Sequence, residues 1–398
     1  MFGSALKKSF IILLAAVICF TLASCKKEPP APEIHTSDVI RSGKACIFEY
    51  GSFLYFSYDG IYRYNTLTGE LSSACIDPEC DGKCPLHGGM SRIGALEDGK
   101  LYFFAFQAFS HDILLGYQDI VSGEVKVLDT LSDKELSKDI TFVNSGYFYY
   151  YAGILKEGGN AKDPADYESR LCRVPTSGGE REVLDSPIDT PQLVIDGKLL
   201  AYGSELSLYE LETGEKRVLW DFKKDGFKLV RDFSYVDGRI YLIAEVPASD
   251  AEEMVSEYTG VVYTKHAFLI SVDIATGEWK KLADEAVESF TVTNDRVYYY
   301  PTELRYLYVP DNYEKNPDGV YHSFFGSTLY SRKLDGSDLR AEYTNEAINT
   351  CYDYTVIDGR LYGSVSIFEE SAKSAARAEF CALELASGSI IDREDFKK

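Results

Sequence analysis

The residues best equipped for chemistry fall in one short stretch, Cys75-Ile-Asp-Pro-Glu-Cys80-Asp-Gly-Lys-Cys84-Pro-Leu-His87. Three thiols and an imidazole within thirteen positions supply the donors of a Cys3His zinc tetrahedron, and the Pro, Asp and Gly between them let the chain reverse. The competing chemistry is a disulfide among Cys75, Cys80 and Cys84, which suits an exported chain better than free thiolates do. Both readings, and unpaired thiols as a third, stay open on the sequence alone. A catalytic zinc would need an open position and a base, and no neighbour marks itself as that base.

Other catalytic signatures are missing: there is no Gly-x-Ser-x-Gly elbow, phosphate loop or His-Glu-x-x-His pair. His35, His111, His266 and His322 stand alone in linker or loop sequence, although His266 and His322 could face one rim together. Acidic pairs such as Asp250-Ala-Glu252-Glu253 are too common in this chain to single out a glycosidase pair. Beyond Cys19 and Cys25 there are seven cysteines, an odd number that cannot all pair within one chain. Cys172 and Cys381 occupy equivalent repeat positions and read as small core residues. Cys46 and Cys351 lie near the two ends of the repeat and would become neighbours on ring closure, so a bridge between them is an open reading.

The elements that must position these residues repeat. Between Ala45 and Arg393 a pair of short β-patterns recurs seven times. The first halves centre on Leu54, Leu101, Phe148, Leu199, Ile240, Val297 and Leu361, each after a turn rich in Gly, Asp, Asn or Ser. Asp98-Gly99, Asp196-Gly197, Asp237-Gly238, Asn294-Asp295 and Asp358-Gly359 are hairpin turns between a strand A and a strand B. The second halves turn at Gly69, Gly123, Gly179, Gly214, Gly277, Gly336 and Gly388, joining strand C to strand D. Four strands per unit with no helix-period segment predict an all-β chain, a single seven-bladed β-propeller with blades near 45–77, 91–130, 139–186, 190–222, 230–284, 287–343 and 347–393. Six or eight blades are the alternatives, and the fourth unit, with Leu200-Ala201 where others carry aromatics, is the weakest match. The runs Phe148–Tyr151 and Tyr298–Tyr300 lie inside strand B, so packing is preferred for them over ligand stacking, with half of the rings between blades and the rest at an amphipathic edge.

Upstream of the repeats, Lys7-Lys8, an apolar run from Phe10 to Leu22 and Leu22-Ala23-Ser24-Cys25 have the layout of an export signal. The run is shorter than the roughly 20 residues of a bilayer span. Residues 1–24 are therefore read as signal peptide, 25–44 as tether, and 45–398 as the propeller. Removing Lys7 and Lys8 moves the formal charge from −22 to −24, which opposes binding to nucleic acid or anionic head groups by charge alone. At 45% hydrophobic and 14% aromatic, the chain can bury a large core.

Leu-Ala-Ser-Cys25 resembles the lipobox of bacterial lipoproteins, in which the cysteine becomes the lipid-modified first residue. The repeats, as in Asp358-Gly359-Arg360-Leu361-Tyr362 and Leu329-Tyr330-Ser-Arg-Lys-Leu334-Asp-Gly336, resemble those of bacterial extracytoplasmic lipoproteins with β-propeller repeats of unknown function. That resemblance implies lipidation at Cys25, attachment to the membrane through the N-terminal lipid, and a place in the bacterial cell envelope. It supplies no catalytic residues. A similar turn with Asp-Pro-x-Cys, here Asp77-Pro78-Glu79-Cys80, occurs in the same group.

The B–C connections swell at Ala152 to Ser169, Ala244 to His266, Pro301 to Ser327 and Ser366 to Glu379. In a four-stranded blade these connections share one rim of the ring with the D–A links, so the elaboration and the cysteine segment fall on one face. Tyr306, Tyr308, Asp311, Asn312 and Tyr313, with His266 and His322, make that rim the expected ligand surface. The sequence thus reads as a membrane-anchored binding or scaffold module, non-catalytic, for a protein or carbohydrate partner, with structural zinc as its one cofactor candidate. A carbohydrate-active hydrolase or lyase on the same rim, and a structural envelope protein, are the alternatives.

Overall fold

The computed structural model describes residues 40–41, 47–58, 60–77, 80, 84–87, 91–106, 112–132, 135, 141–160, 163–184, 190–309, 312–316, 319–346, 348–367 and 377–395. Cys25, Cys46, His35, His111 and Asp311, and the side chains of Tyr308 and Cys351, lie outside the described residues.

Seven antiparallel sheets follow one another, each with four strands A to D in chain order, and the fifth also takes up the strand Ile40–Arg41. They run from Phe48–Tyr50 to Glu70–Ser73, Arg92–Glu97 to Val125–Leu131, Thr141–Asn144 to Glu182–Val183, and Thr190–Ile195 to Lys216–Trp220. The last three run from Leu229–Val236 to Trp279–Lys281, Val287–Val292 to Arg340–Thr344, and Ile348–Ile357 to Ile390–Asp395. This is the predicted seven-bladed β-propeller, and the weak fourth unit is a complete blade. A strands of successive blades two to seven lie against one another, which places them around the axis.

The A–B turns form for the local reason read from the sequence. Asp98, Asp196, Asp237 and Asp358 sit at φ of 48–49° with the following glycines at 70–75°, the two left-handed residues that a tight hairpin needs. Asn294-Asp295 differs, because it takes no positive φ. There Thr293 Oγ1 accepts from the Arg296 amide and donates to Asp295, closing the turn through side chains.

Hydrophobic burial is organised between blades. Seven buried clusters each join one blade to the next, and the seventh joins the last blade to the first. Strand alternation explains how one aromatic run serves two interfaces. Phe148 and Tyr150 pack toward blade two, whereas Tyr149 and Tyr151 pack toward blade four. The expectation that half of these rings would lie at an amphipathic edge is therefore corrected: neighbours on both sides bury them all, and Tyr298–Tyr300 likewise. Cys172 and Cys381 are buried core thiols in strand C of blades three and seven, and burial pushes Cys172 up to about 11.

Candidate functional site: one rim of the ring

The enlarged B–C connections of blades five and six contain strands of their own. In blade five, Glu252–Val255 and Val262–Lys265 form an extra hairpin, Met254 opposite Tyr263 and Val255 opposite Val262. In blade six, strand B continues from Arg296 to Tyr308 and pairs with Tyr321–Phe325 before strand C begins at Thr328. In blade three, strands B and C extend to Leu155 and from Tyr167, leaving a shorter connection that contains the turn Pro164–Asp166. In blade seven, strands B and C reach Ile367 and Arg377, and the connection between them lies outside the described residues.

The insertions of blades five and six fold onto each other. Tyr258 meets Tyr306 edge-on at 4.7 Å between ring centroids and Tyr313 at 5.4 Å. Tyr263 packs on Phe324 at 5.0 Å and on His322 at 5.5 Å, and His322 also touches Tyr306 at 5.4 Å. Polar contacts fix the register: the Glu257 amide donates to the Tyr306 hydroxyl at 3.0 Å, and buried Ser256 Oγ lies 3.2 Å from His322 Nε2. Burial holds the His322 imidazole below its ordinary pKa, so neutral His322 is the form that fits. The opposite face of the hairpin exposes Val255 and Val262.

Of the residues expected at the rim, the structure brings together Tyr306, Tyr313 and His322. Asn312 is exposed, with its carbonyl accepting from the Lys315 and Asn316 amides. His266 has different surroundings from His322: its Nε2 lies 3.6 Å from Glu245 and its Nδ1 3.0 Å from its neighbour Thr264's carbonyl. The sequence reading missed Ser256, Tyr258, Tyr263 and Phe324. A signal was present, since Ser256-Glu-Tyr-Thr-Gly260 repeats the turn spacing of Asp273-Ile-Ala-Thr-Gly277, and in both the glycine amide donates four residues back.

Also missed was a charged cluster beside His266. Arg231 Nε donates to Glu245 Oε1 at 2.8 Å and the guanidinium also pairs with Asp232. Asp232 sits at φ 53° in a bulge of strand A of blade five. Glu288, accepting from Thr302 Oγ1 at 3.4 Å, has its carboxyl pushed upward, first by burial.

The cysteine segment follows strand D of blade one, where the sequence placed it. The ligand atoms of Cys75, Cys80, Cys84 and His87 all lie within 4.8 Å of one another. Buried Leu86, in the core shared by blades one and two, pins the turn Pro85–His87 that carries the imidazole. The edges of a Cys3His zinc tetrahedron are about 3.5–3.8 Å, so a small contraction would complete one, and this donor set is that of a closed structural site. Burial pushes Cys75 upward and Cys84 up to about 12. A divalent cation reverses that preference, because it stabilises the thiolate directly.

The fold and this rim define the chain as a seven-bladed β-propeller with one elaborated face and a metal-competent Cys3His cluster. No protein-family model matches the sequence, and no curated protein matches it. Among solved structures, the propeller is similar to an oligogalacturonate lyase in complex with manganese, at 12% identity and a TM-score of 0.48 over 84% of this chain and 92% of that one. A second oligogalacturonate lyase, from Vibrio parahaemolyticus, gives 11% and 0.49 over 87% and 91%. A prolyl endopeptidase structure gives 14% and 0.50 over 89% of this chain and 49% of that one, a likeness of fold alone.

Proposed function

We propose that this propeller is a lipoprotein of the bacterial cell envelope, lipidated at Cys25, that binds a protein or carbohydrate partner on its elaborated rim without catalysis. The observation that carries the reading is the aromatic surface in which Tyr258, Tyr306, Tyr313 and His322, drawn from two separate insertions, meet. Insertions that hold each other present a preformed face and spare the ordering cost of binding with loose loops. In the same reading, zinc closes Cys75, Cys80, Cys84 and His87 as a structural clasp that fixes the link between blades one and two.

Site-specific photocrosslinking in intact envelopes tests the binding reading. A photoreactive side chain at Tyr313 gives a discrete adduct, or a glycan array gives a discrete ligand, and Tyr258→Ala abolishes it. The same probe at Thr213, on the opposite rim, gives none. Equal adducts from both rims, or none together with no glycan bound, would overturn the reading.

The hydrolase or lyase alternative has one observation in its favour. Glu288 and Glu245 are carboxylates in different settings, one raised by burial and one paired with Arg231, and such differentiation suits acid–base chemistry. Turnover of any polysaccharide that is lost in Glu288→Gln would establish that alternative.

A further inference from the structure

Strand A of blade five (Leu229–Val236) has a neighbour on its axial side. The strand Ile40–Arg41 pairs with it antiparallel, Ile40 opposite Tyr235 and Arg41 opposite Ser234, and also lies against strand A of blade four (Thr190–Ile195). Because A strands line the axis, Ile40–Arg41 lies in the axial channel.

The pairing also sets a direction. Strand A of blade five descends from the B–C rim to the A–B turn at Asp237-Gly238. Its antiparallel partner must climb, from the plain rim of A–B and C–D turns toward the elaborated rim. Blade one then opens at Phe48, with strand A descending again from the elaborated rim.

We propose that the chain enters the propeller by threading its axial channel from the plain rim, with Ile40–Arg41 as a plug strand, so that a lipid at Cys25 turns the plain rim to the bilayer and the elaborated rim outward. The physical drive is backbone pairing, since an innermost strand otherwise leaves a row of amides and carbonyls unpaired by protein. The outward rim then carries the interaction surface, and the channel, filled by the chain itself, is no ligand route from the membrane side. The threading stands on the strand pairing alone, whereas the orientation also rests on the lipid-anchor reading above.

Amide hydrogen exchange on protein beginning at residue 26 tests the threading. The one channel-directed amide of the pair Ser234 and Tyr235 exchanges at least about tenfold more slowly than the channel-directed amides of the matching inner strand of blade six (Val287–Val292). Ile40→Pro removes that protection while strand C of blade two (Ile113–Asp119) keeps its own. Equal exchange of the two inner strands in the unaltered protein overturns the threading whether or not the variant folds. For orientation, the lipidated full chain is placed on vesicles with a head-group energy acceptor and a donor dye at Thr213 or at Asp250. Stronger transfer from Thr213 is expected, and stronger transfer from Asp250 overturns the orientation. Failure of the full chain to bind vesicles overturns the lipid-anchor reading, and with it the orientation, while the exchange experiment still decides the threading.

Discussion

Phe56 of blade one and Phe380 of blade seven stack face to face, with ring centroids 4.2 Å apart and planes within 6°. Blades one and seven are each built from four consecutive strands, so no strand is exchanged across this seam. The first and last blades are held by side chains instead: the stacked rings, Tyr64 against Phe380 at 5.0 Å, and the Tyr64 hydroxyl donating to Asp392. Ring closure therefore depends on this packing.

Phe380→Ala removes a buried ring that fills the seam and should cost about 3–5 kcal/mol. Phe56→Ala should cost a similar amount. The double variant should lose less than the sum of the two, because each single change already empties the shared space. Urea denaturation midpoints check this, and additive losses would show that the two rings do not act together.

Three C–D turn glycines, Gly69, Gly277 and Gly388, touch the outer strand of the blade before them. At Gly277, φ is 75° and an added Cβ would fall 2.4 Å from the Leu219 carbonyl oxygen. Gly69 and Gly388 are crowded instead by the side chains of Asp392 and Tyr343. Gly277→Ala should therefore cost about 2 kcal/mol or more. Gly260→Ala, also at positive φ but with nothing within 4 Å, should cost clearly less. Thermal melts of the two variants separate backbone strain from close approach, and equal losses would remove the contact from the account.

The aromatic surface should loosen in mild acid. Burial lowers the His322 pKa below 6.5 in the folded protein. Between that lowered value and 6.5 the unfolded chain binds more protons, so the stability from neutral His322 is complete above about 6.5 and is lost as pH falls through the folded pKa. Hydrogen exchange of residues 252–265, corrected for intrinsic rates, should accelerate from pH 7 to pH 5. His322→Phe should flatten that dependence, and an unchanged profile in the variant would assign the acid sensitivity elsewhere.

Metal removal should loosen the junction of blades one and two. Protein from residue 26 onward should carry one zinc per chain and lose it on Cys75→Ser. Chelation should lower its Tm by several degrees. Metal analysis with thiol mapping decides between the two chemistries: no zinc, together with a missing thiol pair mapped to Cys75, Cys80 and Cys84 in the unfolded protein, would make the cluster a disulfide instead.

By itself the sequence determined what depends on neighbouring residues. Asp98-Gly99 and Asp237-Gly238 demand left-handed backbone within two positions, so hairpins, strand order and the number of blades were legible. The cysteine segment was legible too, because its four donors lie close along the chain. Tertiary structure decided what depends on partners far apart in sequence. Tyr149 is buried against blade four and Tyr150 against blade two, although either ring alone could pass for an edge residue. Ser256 and Tyr263 become parts of a surface because His322 lies beside them, some sixty residues on. Ile40–Arg41, in a stretch read as tether, forms a strand because Ser234 and Tyr235 offer it backbone partners inside the ring. Backbone pairing and burial are not written in the local residue pattern, and only the closed ring brings those partners within reach.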